Sequence, residues 1–219
     1  MQRGCFITFE GTEGAGKSTQ IRLLANRLKA AGADIVLVRE PGGTTAGERI
    51  RDVLKDPLLS GQLNAHSELF LLSACRSELV RQVIVPALER GRIVLCDRFY
   101  DSTLAYQAYG RGLDLVKVRE VVDYSTDGLH PDLTFFLEIP LVLSHKRRAI
   151  RSESADPESK TDRFEQSDDA FFGRVEEGFR ELAAESPERI RIVDGSGSLD
   201  DVGNEIWRIV EQKKIVQSS

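Results

Sequence analysis

Gly11-Thr12-Glu13-Gly14-Ala15-Gly16-Lys17-Ser18 stands between the apolar run Cys5-Phe6-Ile7-Thr8-Phe9 and an amphipathic stretch that begins near Lys17. It fits the pattern G-x-x-x-x-G-K-[ST] in the context that gives the pattern meaning, a strand before it and a helix after it. Glycines let the backbone wrap closely about an anion, and the first amides of the helix point at that anion with the positive end of the helix dipole. In such a loop the Lys17 ammonium reaches the terminal phosphates of a nucleotide, and the Ser18 hydroxyl faces a divalent cation. Thr19 follows in the first turn of the helix.

Outward from this loop, short apolar runs recur at Cys5–Phe9, Ile35–Val38, Ile93–Cys96, Leu133–Leu137 and Ile190–Val193, with segments of helical period between them. Nearly every position in these runs is apolar, whereas a sheet open to water on one side would alternate. The expected fold class is therefore α/β, a doubly wound parallel sheet flanked by helices. Helices are expected near 17–31, 45–55, 65–90, 114–126, 140–151, 168–185 and 199–213, and Pro86 is expected to end or kink the third of these. A single domain over 1–213 and a tail at 214–219 follow from length and pattern. The stretch Arg151–Arg163 is polar, contains Pro157 and has no apolar period, so it reads either as a solvated excursion or as a mobile lid. Taken with the end of the preceding helix, the lid spans 148–163.

Composition narrows the partners. Thirty Lys and Arg stand against 35 Asp and Glu, a net charge of -5, so there is no global field to hold a nucleic acid polymer or an anionic membrane. Cys5, Cys75 and Cys96 match neither a disulfide framework nor a paired-cysteine zinc site, and a reducing, cytoplasmic setting is expected. Met1–Phe9 lacks the features of a secretory signal, and no apolar stretch reaches the length of a membrane span. His66, His130 and His145 fit no metal spacing and read as structural.

Three further clusters lie where the strands end. Asp97-Arg98 follows the third run, where a carboxylate would emerge beside the phosphate loop and approach Mg²⁺. Arg39-Glu40-Pro41-Gly42-Gly43-Thr44 follows the second run, with Arg49 and Arg51 on the next helix. The helical period turns only one of those two inward. Lys146-Arg147-Arg148, Arg151, Lys160 and Arg163 put positive charge at the end of one helix and on the lid, either as a solvated face or to neutralise a phosphoryl group in transit. No N-K-x-D tetrad occurs, which counts against a small GTPase. A transferase needs a lid and a second pocket for its acceptor, and segments 39–51, 70–76 and 97–107 are the candidates for that pocket.

At this point the chain resembles the thymidylate kinases of the P-loop nucleoside monophosphate kinase superfamily over nearly its whole length. The blocks that carry the likeness are Phe9-Glu10-Gly11 with the loop that follows, Arg39–Thr44, and Cys96-Asp97-Arg98-Phe99 with Ser102-Thr103 and Ala105-Tyr106-Gln107. Pro131-Asp132-Leu133 and Asp162-Arg163-Phe164-Glu165 complete them. The resemblance implies a five-stranded parallel sheet, a homodimer, and transfer of the ATP γ-phosphoryl group to dTMP with Mg²⁺. It implies ATP binding by Gly11, Thr12, Glu13, Gly14, Ala15, Gly16, Lys17, Ser18 and Thr19, metal contacts from Ser18 and Asp97, and Glu13 at the acceptor 3′-hydroxyl. Arg51 and Arg98 would hold the acceptor phosphate and Arg76 the thymine ring, while Thr103, Tyr106 and Gln107 would line the base and deoxyribose. The loop carries no basic residue at Thr12–Ala15, so the family pattern assigns that charge to the lid, at Arg151, with Arg148 and Arg163 as the alternatives.

The family's usual stacking Phe, four residues before the base-reading arginine, is here Leu72, and Phe70 lies six before it. Either Leu72 packs on the base or Phe70 compensates. The helix near 65–90 and Phe99 read either as surfaces of the dimer that the resemblance implies or as core. A kinase for another nucleoside monophosphate and a slow ATPase switch remain the alternative readings.

Overall fold

The computed structural model describes residues 3–153, 163 and 168–215, with the backbone alone at 151–153. Five strands, β1 Phe6–Glu10, β2 Ile35–Arg39, β3 Ile93–Asp97, β4 Leu133–Glu138 and β5 Ile190–Asp194, form one sheet in the order β2-β3-β1-β4-β5. Every neighbouring pair is parallel. β1 sits at the centre, so the loop that leaves it opens between the carboxyl ends of β3 and β4, the crevice where doubly wound sheets take ligands.

Side chains alternate across β1 into two cores. Phe6 joins Val94, Cys96 and Phe136 on one face, and Ile7 and Phe9 join Leu95, Phe135 and Leu137 on the other. The first face is covered by α3 Ala65–Leu79, α6 Leu115–Thr126 and α8 Asp169–Glu185, and the second by α1 Lys17–Ala30 and α9 Leu199–Gln212. Burying each of these large apolar side chains is worth about 1.5–3 kcal/mol, which fixes the register of the central strands. The expectation of cover on both faces holds for β1, β3 and β4. The edge strands are half open, with Leu37 47% and Ile192 46% exposed.

α2 Thr45–Lys55 is capped by the Thr44 side chain, which accepts from the Gly47 amide. The helix continues past Pro86 and does not end there. α3 passes through a π-helical turn at Val80–Ile84, where the Val85 amide donates to Val80 O, and continues as α4 Val85–Glu89. The extra residue in that turn accommodates a proline that has no amide to give.

A helix not expected from the pattern follows β3, as α5 Tyr100–Thr103 and a π-helical run Leu104–Gly110. It is buried nearly all round, against α8 among others, so no apolar stripe marks it in the sequence. α7 Leu141–Glu153 carries the start of the expected lid. The rest of that lid, at 154–162, and the block residues 164–167 lie outside the described residues, as does the Arg151 side chain. At the other end Ile215 packs on the second core.

Candidate active site

The phosphate loop leaves β1 through Gly11, whose φ of 133° and whose closeness to Leu137 O, 2.5 Å from where a Cβ would stand, both require glycine. Lys17 Nζ donates to Gly11 O at 3.0 Å and Thr12 O at 2.8 Å, and lies 3.7 Å from the Glu13 carboxylate. Burial and then the Arg98 charge pull its pKa down from the usual lysine range. α1 starts behind Gly16, a left-handed residue with no capping side chain, so the first amides of the helix face the crevice uncapped. From outside, α7 braces the loop. Ser144 Oγ donates to Glu13 O at 2.7 Å, and Arg147 Nη1 donates to Gly14 O at 3.2 Å and Gly195 O at 3.0 Å. Neither brace is visible in the sequence, because each depends on how α7 crosses the loop.

Ser18 Oγ donates to Asp97 Oδ2 at 2.5 Å, joining the start of α1 to the end of β3. A hydroxyl and a carboxylate are hard oxygen donors that suit Mg²⁺, and among the described residues no cluster of three or more metal-ligating side chains occurs. That small protein share fits a cation that takes most of its ligands from substrate phosphates and water.

Arg98 begins a second, arginine-lined side of the crevice. Its φ of 68° is unusual for a side chain with a Cβ and turns the chain sharply at the end of β3. Its Nη2 donates to Glu13 Oε2 at 2.7 Å, its Nη1 donates to Ser102 Oγ at 2.9 Å, and its guanidinium lies 5.1 Å from the Tyr106 ring. Glu10, fully buried at the end of β1, holds this turn by accepting from the Phe99 amide at 2.7 Å and from the Ser102 hydroxyl. Its carboxyl is pushed up to about 8, by burial first and the Asp101 charge second.

A carboxyl raised on folding takes up a proton. The stability it contributes is full below its unfolded value of 4.5 and is lost as pH climbs through about 8. The urea midpoint is therefore expected to fall between those two pH values more steeply in the natural chain than in Glu10→Gln. Equal slopes for the two proteins would refute this.

The rest of this arginine-lined side is gathered from α2, α3 and the helix after β3. Arg76 is fully buried, and its Nε and Nη2 donate to Glu40 Oε2 at 3.0 and 2.7 Å, with Nη2 also donating to Thr103 Oγ1 at 2.7 Å. Burial raises the Glu40 pKa and Arg76 opposes the rise. Arg51 turns inward and donates to Pro41 O at 2.7 Å, while Arg49 is exposed, as the helical period requires. Gln107 Nε2 donates to Glu68 Oε1 at 2.7 Å. Leu72 is half-buried one turn before Arg76, and Phe70 is 60% exposed.

Of its two readings, dimer surface or core, Phe99 takes the second: it is fully buried with its ring 4.9 Å from Phe6, because the turn at Arg98 drives it into the core. Of the alternative lid arginines, Arg163 is buried with its Nη1 2.7 Å from Glu68 Oε2, and Arg148 lies 4.8 Å from the Phe172 ring.

This geometry has counterparts among known proteins. A family model described as thymidylate kinase matches residues 9–206. The chain belongs to the thymidylate kinase family. The thymidylate kinase of Deinococcus radiodurans is 45% identical over 213 residues, 97% of this chain and 99% of that protein. The thymidylate kinase of Desulfovibrio desulfuricans is 49% identical over 197 residues, 90% of each. A crystal structure of thymidylate kinase from Ehrlichia chaffeensis matches with a TM-score of 0.74 at 32% identity, covering 95% of this chain and 99% of that one. Within the thymidylate kinase framework, Glu10, Glu40, Glu68, Ser102, Ser144 and Arg147 are the supporting residues that motif reading did not single out by role.

Proposed function

We propose that this member of the thymidylate kinase family transfers the γ-phosphoryl group of ATP to dTMP, giving dTDP and ADP on the route to dTTP. The observation that carries this reading is that Glu13 touches both halves of the crevice, Lys17 of the phosphate loop and Arg98 of the arginine-lined pocket. A nucleotide switch needs the first half only.

Gly11 to Thr19 hold the ATP phosphates, with Lys17 on the group in transit. Arg98 and Arg51 take the dTMP phosphate, and Glu13 orients the deoxyribose 3′-hydroxyl. Tyr106 and Thr103 flank the sugar and base, Leu72 packs on the ring, and Arg76 and Gln107 address its edge. Arg76 Nη1 and Gln107 Oε1 are buried without a hydrogen-bond partner among the described residues. Such groups cost about 1–3 kcal/mol each unless a ligand meets them, which supports their facing the base. Transfer is in line, by positioning and charge neutralisation. Mg²⁺ held at Ser18 and Asp97 supplies positive charge to the phosphates when bound. By the family pattern Arg151 is the lid charge that joins it, while Arg163 is engaged with Glu68 and Arg148 packs on Phe172.

Exposed Val53, Leu58 and Phe70 on and beside α2 and α3 support a homodimer. Three free cysteines support a reducing, cytoplasmic setting. Among the described residues no helix is long and apolar enough to cross a membrane.

The test is ADP formation with ATP and Mg²⁺ in the presence of dTMP, dUMP, dCMP, dGMP or no acceptor. ADP is expected mainly with dTMP. Equal ADP with and without an acceptor would sink the transferase reading, and parity of dUMP with dTMP would trace to Leu72.

A further inference from the structure

Glu68 has no role in the transfer set out above, yet it is fully buried at the meeting point of several elements. Its Oε1 accepts from Gln107 Nε2 at 2.7 Å and Arg111 Nε at 3.3 Å, and its Oε2 lies 3.4 Å from Arg111 Nη2 and 2.7 Å from Arg163 Nη1. Arg163 in turn donates from Nε to Leu54 O at 3.1 Å. One carboxylate thus faces two guanidinium groups and one amide. A buried charge this well surrounded is held in one place, whereas a lone one would be expelled or neutralised.

The consequence falls on Gln107. A glutamine amide has a donor end and an acceptor end of nearly equal shape, and its partners decide which end points where. An ionised carboxylate accepts only, so Glu68 takes the N–H end and leaves Gln107 Oε1 at the other, buried and without a partner among the described residues. We infer that Glu68 is a positioning residue for base selection, which fixes the Gln107 amide so that its oxygen meets a ring N–H of the acceptor. The inference rests on the acceptor-pocket reading above. Thymine carries a ring N–H at the imide position, where cytosine carries a bare nitrogen. An amide oxygen held there accepts from the first and repels the second, while a freely turning amide would serve both.

The experiment compares Glu68→Gln, Gln107→Leu and the double variant in the full-length enzyme, reading the KM for dTMP, the KM for ATP, and kcat/KM for dTMP against dCMP. Glu68→Gln is expected to raise the dTMP KM about tenfold, the loss of roughly one oriented hydrogen bond. It should lower the preference for dTMP over dCMP by a similar factor and leave the ATP KM within about twofold. The double variant should be no worse than Gln107→Leu alone, since both act through one contact.

Unchanged dTMP KM and base preference in Glu68→Gln, alongside a raised dTMP KM in Gln107→Leu, would overturn the positioning role and leave the pocket reading intact. An unchanged dTMP KM in Gln107→Leu would overturn the pocket reading itself. A general loss that moves both substrate KM values equally would mark Glu68 as merely structural. Should Glu68→Gln fail to fold, Glu68→Asp keeps the charge and draws it back by one methylene. A reduced dTMP over dCMP preference is then expected, and full preference would overturn the inference.

Discussion

Lys17→Met is expected to lower kcat/KM for ATP about 10³-fold while leaving the thermal midpoint unchanged or raised. Both halves of that result come from the same contacts. The ammonium is pinned by Gly11 O, Thr12 O and the Glu13 carboxylate, so its charge stands at a fixed point in a dry crevice, where a preorganised charge stabilises a phosphoryl transition state most. Burial also makes that charge costly, as its lowered pKa records. Methionine keeps the length and the packing and removes the cost, so the fold does not suffer with the rate. Steady-state kinetics and a melting curve on one preparation check both. A loss below about tenfold would mean that another cation carries the transferring group. Lys17→Arg should not rescue, because a planar fork does not fit between two carbonyls spaced for a single ammonium.

Arg76→Met is expected to cost about 3–5 kcal/mol of stability, because it strands Glu40 in the interior without its partner. The cost should grow with pH. The Glu40 carboxyl, already raised by burial, rises further once Arg76 is gone, so it takes a proton and is tolerated at low pH and is penalised as pH climbs through its folded pKa. The double change Arg76→Met with Glu40→Met should recover most of the stability and none of the dTMP affinity. Denaturant midpoints near pH 5 and pH 8, with dTMP KM measured for both variants, separate the two roles of the arginine. Recovery of dTMP affinity in the double variant would remove Arg76 from the acceptor pocket.

Much of this was legible in the residues. The phosphate loop, the five runs and most helices could be placed because burial on two sides leaves unbroken apolar runs, and burial on one side leaves a stripe. Where neither signature exists, the reading failed. Residues 100–110 are helical but sunk on all faces, so the pattern offers no period, and Phe99 reads equally as surface or core because the backbone turn at Arg98 is invisible in a list of side chains. Edge strands β2 and β5 carry the same apolar runs as the centre yet keep one side in water.

For the site, residues inside motifs could be assigned, since spacing along the chain fixes them. Glu68 with Gln107 and Arg163, or Ser144 and Arg147 on the loop, join positions far apart in sequence. No local pattern contains them.

The central place of β1 also dictates when the nucleotide loop can exist. The strand that launches it is held on one side through Glu10 and Phe99, 89 residues on, and on the other through Thr8 and Thr134, 126 residues on. Contacts that distant form late, because the chain between must first be closed. During synthesis from the amino terminus, the phosphate loop emerges before β3 and β4 and waits for both. A nascent chain cut anywhere before β4 therefore has the whole phosphate motif and no seat for it. Nucleotide would then protect only chains that have already assembled the sheet, so ATP acts on this protein as a ligand of the finished fold and not as a template for it.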